Sequence, residues 1–423
     1  MTMPEQKKAI VPRLRFPEFR DAGPWEVKRL GEVAEIITER AADRECTLLS
    51  VSAGVGLIPQ IEKFGREIAG RQRSNYFVVK KYDFAYNKSA TKEYPQGYVG
   101  LYEGDELAAV PNSIFVCFRP NLEKIIPRYL MFLFEANVHG KWLSRFITVG
   151  ARAHGSLNID NQDLLNTPIP LPSSTVRLPE QQKIADCLSS LDELIELEAK
   201  KLEALKAHKK GLMQQLFPRE GETTPRLRFP EFRNAGPWEV KRVGYFLTES
   251  RIDGSTGDIA KKLTVKLWGG GVVSKNEYLP GSPNTKYYRR KVGQFIYSKL
   301  DFLNGAFGII PYELDGYEST LDLPAFDFTK AIVPRFFLEY VRRPQFYKKH
   351  GEQADGSRKA KRIQVDYFLD LYVAVPCLAE QQKIADCLSS LDELIQLEAQ
   401  KLEALKAHKK GLMQQLFPQE IDL

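Results

Sequence analysis

With 423 residues, of which 43% are hydrophobic, the chain is long enough for two globular cores, and its net charge of +7 permits nucleic acid as a partner without demanding it. No run of about eighteen apolar residues occurs, and the opening MTMPEQKKAIVPRLRF is broken at Pro4 and Pro12, so neither a helical membrane span nor a secretory leader is expected. A non-exported, cytoplasmic protein with no membrane partner is expected.

The chain begins with a Pro-broken head, PRLRFPEFRDAGPWEVKRL (residues 12–30), extended at first and then turning at Trp25. A first body follows, over roughly residues 31–178. It carries strand-like runs at 76–87 and 113–120, then a helical run at 126–147. After these come the polar stretch TVGARAHGSLNID (148–160) and IPLP (169–172).

Next comes EQQKIADCLSSLDELIELEAKKLEALKAHKKGLMQQLFP, from Glu180 to Pro218. Its apolar residues Ile184, Leu188, Leu191, Ile195, Leu202, Leu205, Leu212 and Leu216 alternate steps of four and three, with Glu198 and Lys209 in the two slots that would complete the series. That is a heptad seam, and the segment can run as one helix of roughly 55 Å. One greasy stripe needs a partner.

The chain then writes this plan again. PRLRFPEFRNAGPWEVKRV (225–243) copies the head at an offset of 213 residues, and the long helix returns from Glu380 to Pro418 at an offset of 200, with Ile384, Leu388, Leu391, Ile395, Leu402 and Leu405 on its seam. The second body retraces the first with different polar residues: a strand-like run at 286–299, a helical run at 333–350, the basic stretch GSRKAKRIQVDYF (356–368) and VAVP (373–376). Two near-identical helices can pair with each other, and a pseudo-twofold pair is the simplest arrangement. Dimerisation between two chains is the plainer alternative.

The fold class expected is α+β, two mixed α/β bodies plus a pair of long helices. The divisions are 1–178 (head and first body), 179–218 (first helix), 219–378 (second head and body) and 379–423 (second helix and tail). Cys46, Cys117, Cys187, Cys377 and Cys387 form no CxxC pair and read as free thiols, so neither a metal site nor a disulfide is expected.

No catalytic residue is nominated. A DNA methyltransferase needs an Asn/Asp-Pro-Pro-aromatic loop and a nuclease of the PD…ExK kind needs its acidic cluster, yet the chain has no Pro-Pro and no Pro-Asp. Gly269, Gly270 and Gly271 lack the Lys-Ser/Thr of a phosphate-binding loop and read as a turn at a strand end.

The paired layout of LRFPEF…WEVKRL, variable body, IPLP and EQQKIAD…QQLFP resembles the specificity subunit of type I restriction–modification systems, over essentially the whole chain. The linker departs mildly, with Arg177 and Cys377 where many relatives carry Pro. The resemblance implies two target-recognition domains, each reading half of a bipartite site on double-stranded DNA, with the long helices paired antiparallel as a coiled-coil spacer. It also implies two methyltransferase (modification) subunits docked on this chain and restriction (motor/endonuclease) subunits joining the complex. No cofactor of its own is implied, since S-adenosylmethionine, ATP and Mg would belong to those partners.

Base or phosphate contacts are expected from polar segments flanking the apolar runs. The candidates are Arg71, Arg73, Lys88, Ser89, Lys92, Arg152, His154, Ser156 and Asn158 in the first body. In the second they are Lys275, Asn276, Lys299, Asn304, Arg358, Lys361 and Arg362. A protein–protein scaffold that dimerises through its helices is the alternative function.

Overall fold

The structure, a computed structural model, describes residues 9–52, 54–68, 71–147, 155, 157–275, 281–352 and 362–418. It divides into two compact units, residues 1–199 with 400–423, and residues 200–399. The division falls inside both long helices. The fold is α+β.

The first unit opens with β1 (Glu26–Arg29), α1 (Leu30–Val33) and β2 (Ala34–Ile36). The hairpin β3 (Thr47–Ser52) and β4 (Gly56–Pro59) leads to α2 (Gln60–Phe64). Strands β5 (Phe77–Val79), β6 (Phe84–Asn87), β7 (Tyr98–Leu101), β8 (Ala108–Val110) and β9 (Phe115–Pro120) follow. Helices α3 (Pro127–Glu135), α4 (Val138–Leu143) and α5 (Asn161–Leu165) then precede β10 (Pro168–Leu171) and the long helix α6 (Arg177–Leu216).

Two four-stranded sheets result, in the orders β2-β9-β6-β7 and β4-β3-β8-β5, while β1 pairs antiparallel with β10. Apolar residues converge on one core from the first sheet (Phe84, Phe118), from α3 (Tyr129, Phe132, Leu133) and from both long helices (Ile184, Leu188, Met413, Leu416). All of these are under a tenth exposed, which places the strongest apolar burial where the sheet meets the helices.

Four expected runs are interrupted, the strand-like and helical runs of each body, and the first unit shows how. The 76–87 run splits into β5 and β6 because Lys80–Asp83 turns back, with the Asp83 carboxylate accepting from the Lys80 N–H at 2.7 Å and Tyr82 at φ 74°. Arg119 on β9 fastens the same buried carboxylate with two bonds of 2.8 and 2.6 Å. The 126–147 run breaks into α3 and α4 at Asn137, which sits in the left-handed region at φ 60°.

The second unit contains β11 (Glu239–Arg242), β12 (Leu247–Ser250), β13 (Ile252–Thr256), β14 (Leu263–Val265), β15 (Val272–Ser274), β16 (Lys286–Arg289) and β17 (Phe295–Tyr297). Strands β18 (Phe307–Ile309), β19 (Glu318–Ser319) and β20 (Ala325–Phe328) precede α7 (Pro334–Val341), α8 (Pro344–Glu352) and α9 (Val365–Asp370). Last come β21 (Tyr372–Val375) and the long helix α10 (Leu378–Leu416). Its main sheet, β12-β20-β17-β18, has the antiparallel order of β2-β9-β6-β7, and β11 pairs with β21 as β1 does with β10. The core is aromatic: Phe295 stacks on Phe368 at 5.8 Å, and Phe302 meets Phe307 edge to face at 4.9 Å.

The copied head has a structural task in each unit. In the first, Arg15 forks onto Glu180 with bonds of 2.8 and 2.7 Å and donates a third to Gly23 O, so a buried cation is fully paired at the start of α6. Arg228 grips Glu380 in the same way in the second unit, at 2.9 and 2.6 Å. Gln181 accepts from the Ile126 N–H at 2.8 Å, and Gln381 from the Val333 N–H at 2.9 Å. The EQQ that opens each long helix therefore bolts the head and the body's helix to it.

The same helix segments pair by charge inside each unit. In the first, Glu198 meets Lys401, and Lys409 meets both Asp192 (2.6 Å) and Glu135 (2.7 Å). In the second, Lys201 meets Glu398, and Lys209 bonds both oxygens of Asp392 (2.7 and 2.8 Å) and reaches Glu339 at 3.3 Å. Of the seam residues, Ile184, Leu188, Leu202, Ile384, Leu388 and Leu402 are buried, whereas Leu191, Ile195, Leu205, Leu391, Ile395 and Leu405 are half-buried.

Candidate nucleic-acid interface

In the first unit three segments come together at the end of β6. Immediately after Asn87 the chain continues in register with the segment beyond residue 155: Leu157 N–H donates to Lys88 O at 2.7 Å and Ala90 N–H to Gly155 O at 2.6 Å. The Lys88 ammonium folds back onto Ile159 O at 3.1 Å. The tip of the β3–β4 hairpin approaches the same loop, since a Cβ on Gly54 would lie 3.3 Å from the Tyr94 hydroxyl. Gly54 at the hairpin tip, the 88–97 loop, Gly155 and residues 157–160 thus share one edge of the unit.

Buried groups fix this edge from below. Tyr86 donates its hydroxyl to Gln96 O at 2.8 Å, and burial keeps that phenol protonated far above its ordinary range. His139 places Nε2 3.2 Å from Gly97 O, which makes Nε2 the protonated nitrogen, and burial pulls its pKa down to about 4. Gly97, at φ 84°, has Asn87 O only 2.4 Å from where a Cβ would stand, so no other residue fits without displacing the strand. Tyr94 packs edge to face on Tyr98 at 4.9 Å, and burial raises the Tyr98 hydroxyl to about 12.

The second unit builds the corresponding edge. Ile363 N–H donates to Lys299 O at 3.1 Å, and the Tyr297 hydroxyl donates to Ile363 O at the same distance. The loop after β17 is stitched to the β14–β15 hairpin, with Trp268 N–H donating to Asn304 O (2.7 Å) and Gly269 N–H to Gly305 O (3.0 Å). The Asn304 amide is held by Asp301 at 3.3 Å, and Arg362 lies 3.8 Å from Asp322.

Of the expected contact residues, the structure gathers Lys88, Ser89, Lys92 and Asn158 on the first edge and Lys299, Asn304 and Arg362 on the second. Lys92, Asn158 and Arg362 are exposed; Lys88, Ser89, Lys299 and Asn304 are half-buried. Arg73 stands apart, in the 3-10 turn Arg71–Asn75, and donates to Cys46 O at 3.3 Å; that turn holds Arg71 too. Lys275 is exposed just past β15, its N–H on Lys262 O at 2.8 Å. Arg152, His154, Ser156, Asn276, Arg358 and Lys361 lie outside the described residues.

The two hairpin tips were not singled out from sequence. LWGGG read only as a turn between strands, and that is its place, residues 266–271 joining β14 to β15. Among the described residues no three His, Cys, Asp or Glu side chains are grouped to hold a metal ion, and no helix is long and apolar enough to cross a membrane. The cysteines are unbridged, with Cys46 and Cys117 buried and Cys377 exposed.

Residues 23–207 and 338–407 match the family described as type I restriction modification DNA specificity domain. The chain is 25% identical over 420 residues to the putative type I restriction enzyme MjaX specificity subunit of Methanocaldococcus jannaschii, covering 94% of this chain and 93% of that protein. It is also 25% identical over 302 residues to the MjaVIII specificity subunit of the same organism, covering 65% and 67%.

Among solved structures, the S subunit of a type I restriction–modification system from M. genitalium superposes with a TM-score of 0.58 at 14% identity, over 97% of this chain and 100% of that one. A chain from a study of complex assembly and conformational transition in a type I system superposes at 0.54 and 16% identity, over 94% and 98%. At such identities the likeness is one of fold.

Proposed function

Because this chain belongs to the type I restriction modification DNA specificity family, we propose that its two bodies are the readers of a specificity subunit, each recognising one half of a bipartite, asymmetric duplex site. Its part is recognition rather than chemistry. Methylation and cleavage fall to two modification subunits docked on it and to the restriction subunits that join them, and S-adenosylmethionine, ATP and Mg are theirs to bind. The cytoplasm, where the host DNA lies, is its place of work. Family membership disfavours the alternative of a protein scaffold with no DNA role.

The observation that carries the reading to particular residues is the convergence, in each body, of a hairpin tip, the loop after the central strand and the segment before the last short helix. Polar side chains held on stiff, inwardly anchored loops are what base-edge readout needs, each good bidentate contact discriminating by about 1–3 kcal/mol. Lys88, Ser89, Lys92 and Asn158 are assigned to the first half-site and Lys299, Asn304 and Arg362 to the second.

The functional divisions are 1–178 and 219–378 for the readers with their heads, and 179–218 and 379–423 for the spacer helices. The spacer is read as an antiparallel coiled coil relating the two copies by a pseudo-twofold. Support comes from the order of contacts inside each unit: along α6 from Asp192 to Glu198, the partners on α10 run backwards from Lys409 to Lys401.

Methylation mapping on the host genome gives the recognised site. Exchanging residues 31–178 for the first body of another family member is expected to change one half of that site and leave the other intact. A change in both halves refutes the division of labour.

A further inference from the structure

Trp268 occupies a position that its own backbone resists. It stands at φ 57° in the β14–β15 turn, followed by Gly269 at φ 73°, and Gly270 N–H closes the turn on Leu267 O at 3.0 Å. Two successive positive φ angles make this the mirror-image tight turn that Asn, Asp and Gly fill, and a large L-residue there costs of the order of a kilocalorie or more. Three glycines follow Trp268, so the stretch is not short of residues that suit the turn.

Burial of the side chain does not repay that strain. Trp268 is 69% exposed and Leu267 beside it 43%. Among the described residues the indole stacks on no aromatic ring and lies under no cation, whereas Trp25 and Trp238 are 4% and 3% exposed in the two cores.

The turn itself is fastened. Its N–H groups bond to Asn304 O and Gly305 O, and Arg342 donates to Gly269 O at 2.8 Å. The loop that receives those bonds carries Asn304 and follows Lys299, while Lys266 and Lys275, both exposed residues, flank the hairpin. A rigidly held apolar pair with cations on either side fits a polyanion that offers flat apolar faces, which is the description of stacked bases under phosphates.

Resting on the specificity-subunit reading, we propose that Leu267–Trp268 is a wedge with which the second reader stacks on a base step of its half-site and opens it. An aromatic inserted at a step selects for sequences that unstack cheaply, so the wedge adds specificity at a position where no side chain reads a base edge. The corresponding hairpin of the first unit presents Val55, 71% exposed, and no aromatic side chain at Val55 or Gly54. The wedge therefore belongs to one half-site only.

The test uses the full chain assembled with its methyltransferase subunits and a duplex containing the mapped site, with 2-aminopurine placed in turn through each half. Leaving aside the bases that the methyltransferase subunits themselves flip, wild type should raise the fluorescence at one step of the second half-site and at none of the first. Trp268→Asn, which suits the turn and keeps or raises Tm, should lose that signal and weaken binding about 10- to 100-fold, while Trp268→Phe keeps much of both. Equal binding and an unchanged signal in Trp268→Asn overturn the wedge while leaving the specificity reading intact, as does a Trp268→Asn chain that no longer assembles with the methyltransferase subunits. A wild-type complex with no affinity for the duplex sinks the specificity reading itself.

Discussion

Single residues explain what the repeated words of the sequence are for. Glu198 and Lys209 stand out as charges interrupting a heptad seam, and the structure turns each interruption into a bond, Glu198 with Lys401 and Lys209 with Asp392 and Glu339. Arg15 and Glu180 lie 165 residues apart, and no local pattern announces that one clasps the other. His139 shows how burial becomes pH dependence. Its imidazole, 3% exposed, is neutral in the folded chain because its pKa has fallen to about 4, while the unfolded chain takes up the proton near 6.5. Its contribution to stability is whole above pH 6.5 and is lost as pH falls from there towards 4, by at most about 3 kcal/mol. Urea unfolding of wild type and of His139→Gln at pH 7 and pH 5 should show a smaller pH-dependent loss in the variant.

At the level of elements, periodicity is a good guide where one face decides the structure and a poor one where a turn does. Both long helices are legible because about forty residues obey a single repeat, and they start within three residues of the expected Glu180 and Glu380. The 76–87 run reads as one strand because only Asp83 and Tyr82 mark the turn inside it, and a Tyr in the left-handed region has no sequence signature. The candidate edges were partly legible: polar segments next to the central strand could be named, but their joining to hairpin tips depends on long-range hydrogen bonds. The seam is also uneven, with Leu188 fully buried and Leu191 only half so. Leu188→Ala should cost about 2–5 kcal/mol and Leu191→Ala distinctly less, as measured by urea unfolding. Equal costs would mean that the seam is packed uniformly.

For the whole molecule, duplication of the frame with divergence of the bodies lets two unlike readers share one set of fastenings. EQQ grips a head arginine and a body helix in each unit, so one attachment serves two bodies of different sequence. The proposed spacer carries a geometric expectation. One heptad inserted after Leu202 and another after Leu402 adds about 10 Å of helix, close to three base pairs at about 3.4 Å each. Methylation mapping should then find both half-sites unchanged and the gap between them longer by about that amount; an unaltered gap removes the spacer role.

The first unit draws Met413, Leu416 and Phe417 into its core and offers Gln415 O to the Leu14 N–H, whereas the second is assembled from residues 200–399 alone. On the ribosome, where domains ordinarily mature in the order they emerge, the lobe begun first is thus the last to close. Its opening strands must wait for the final turns of α10, and a chain clipped before residue 412 keeps a sound second lobe beside a gaping first one. Half a reader pair cannot direct modification to a two-part target, so the last turns of α10 work as a seal on the first lobe.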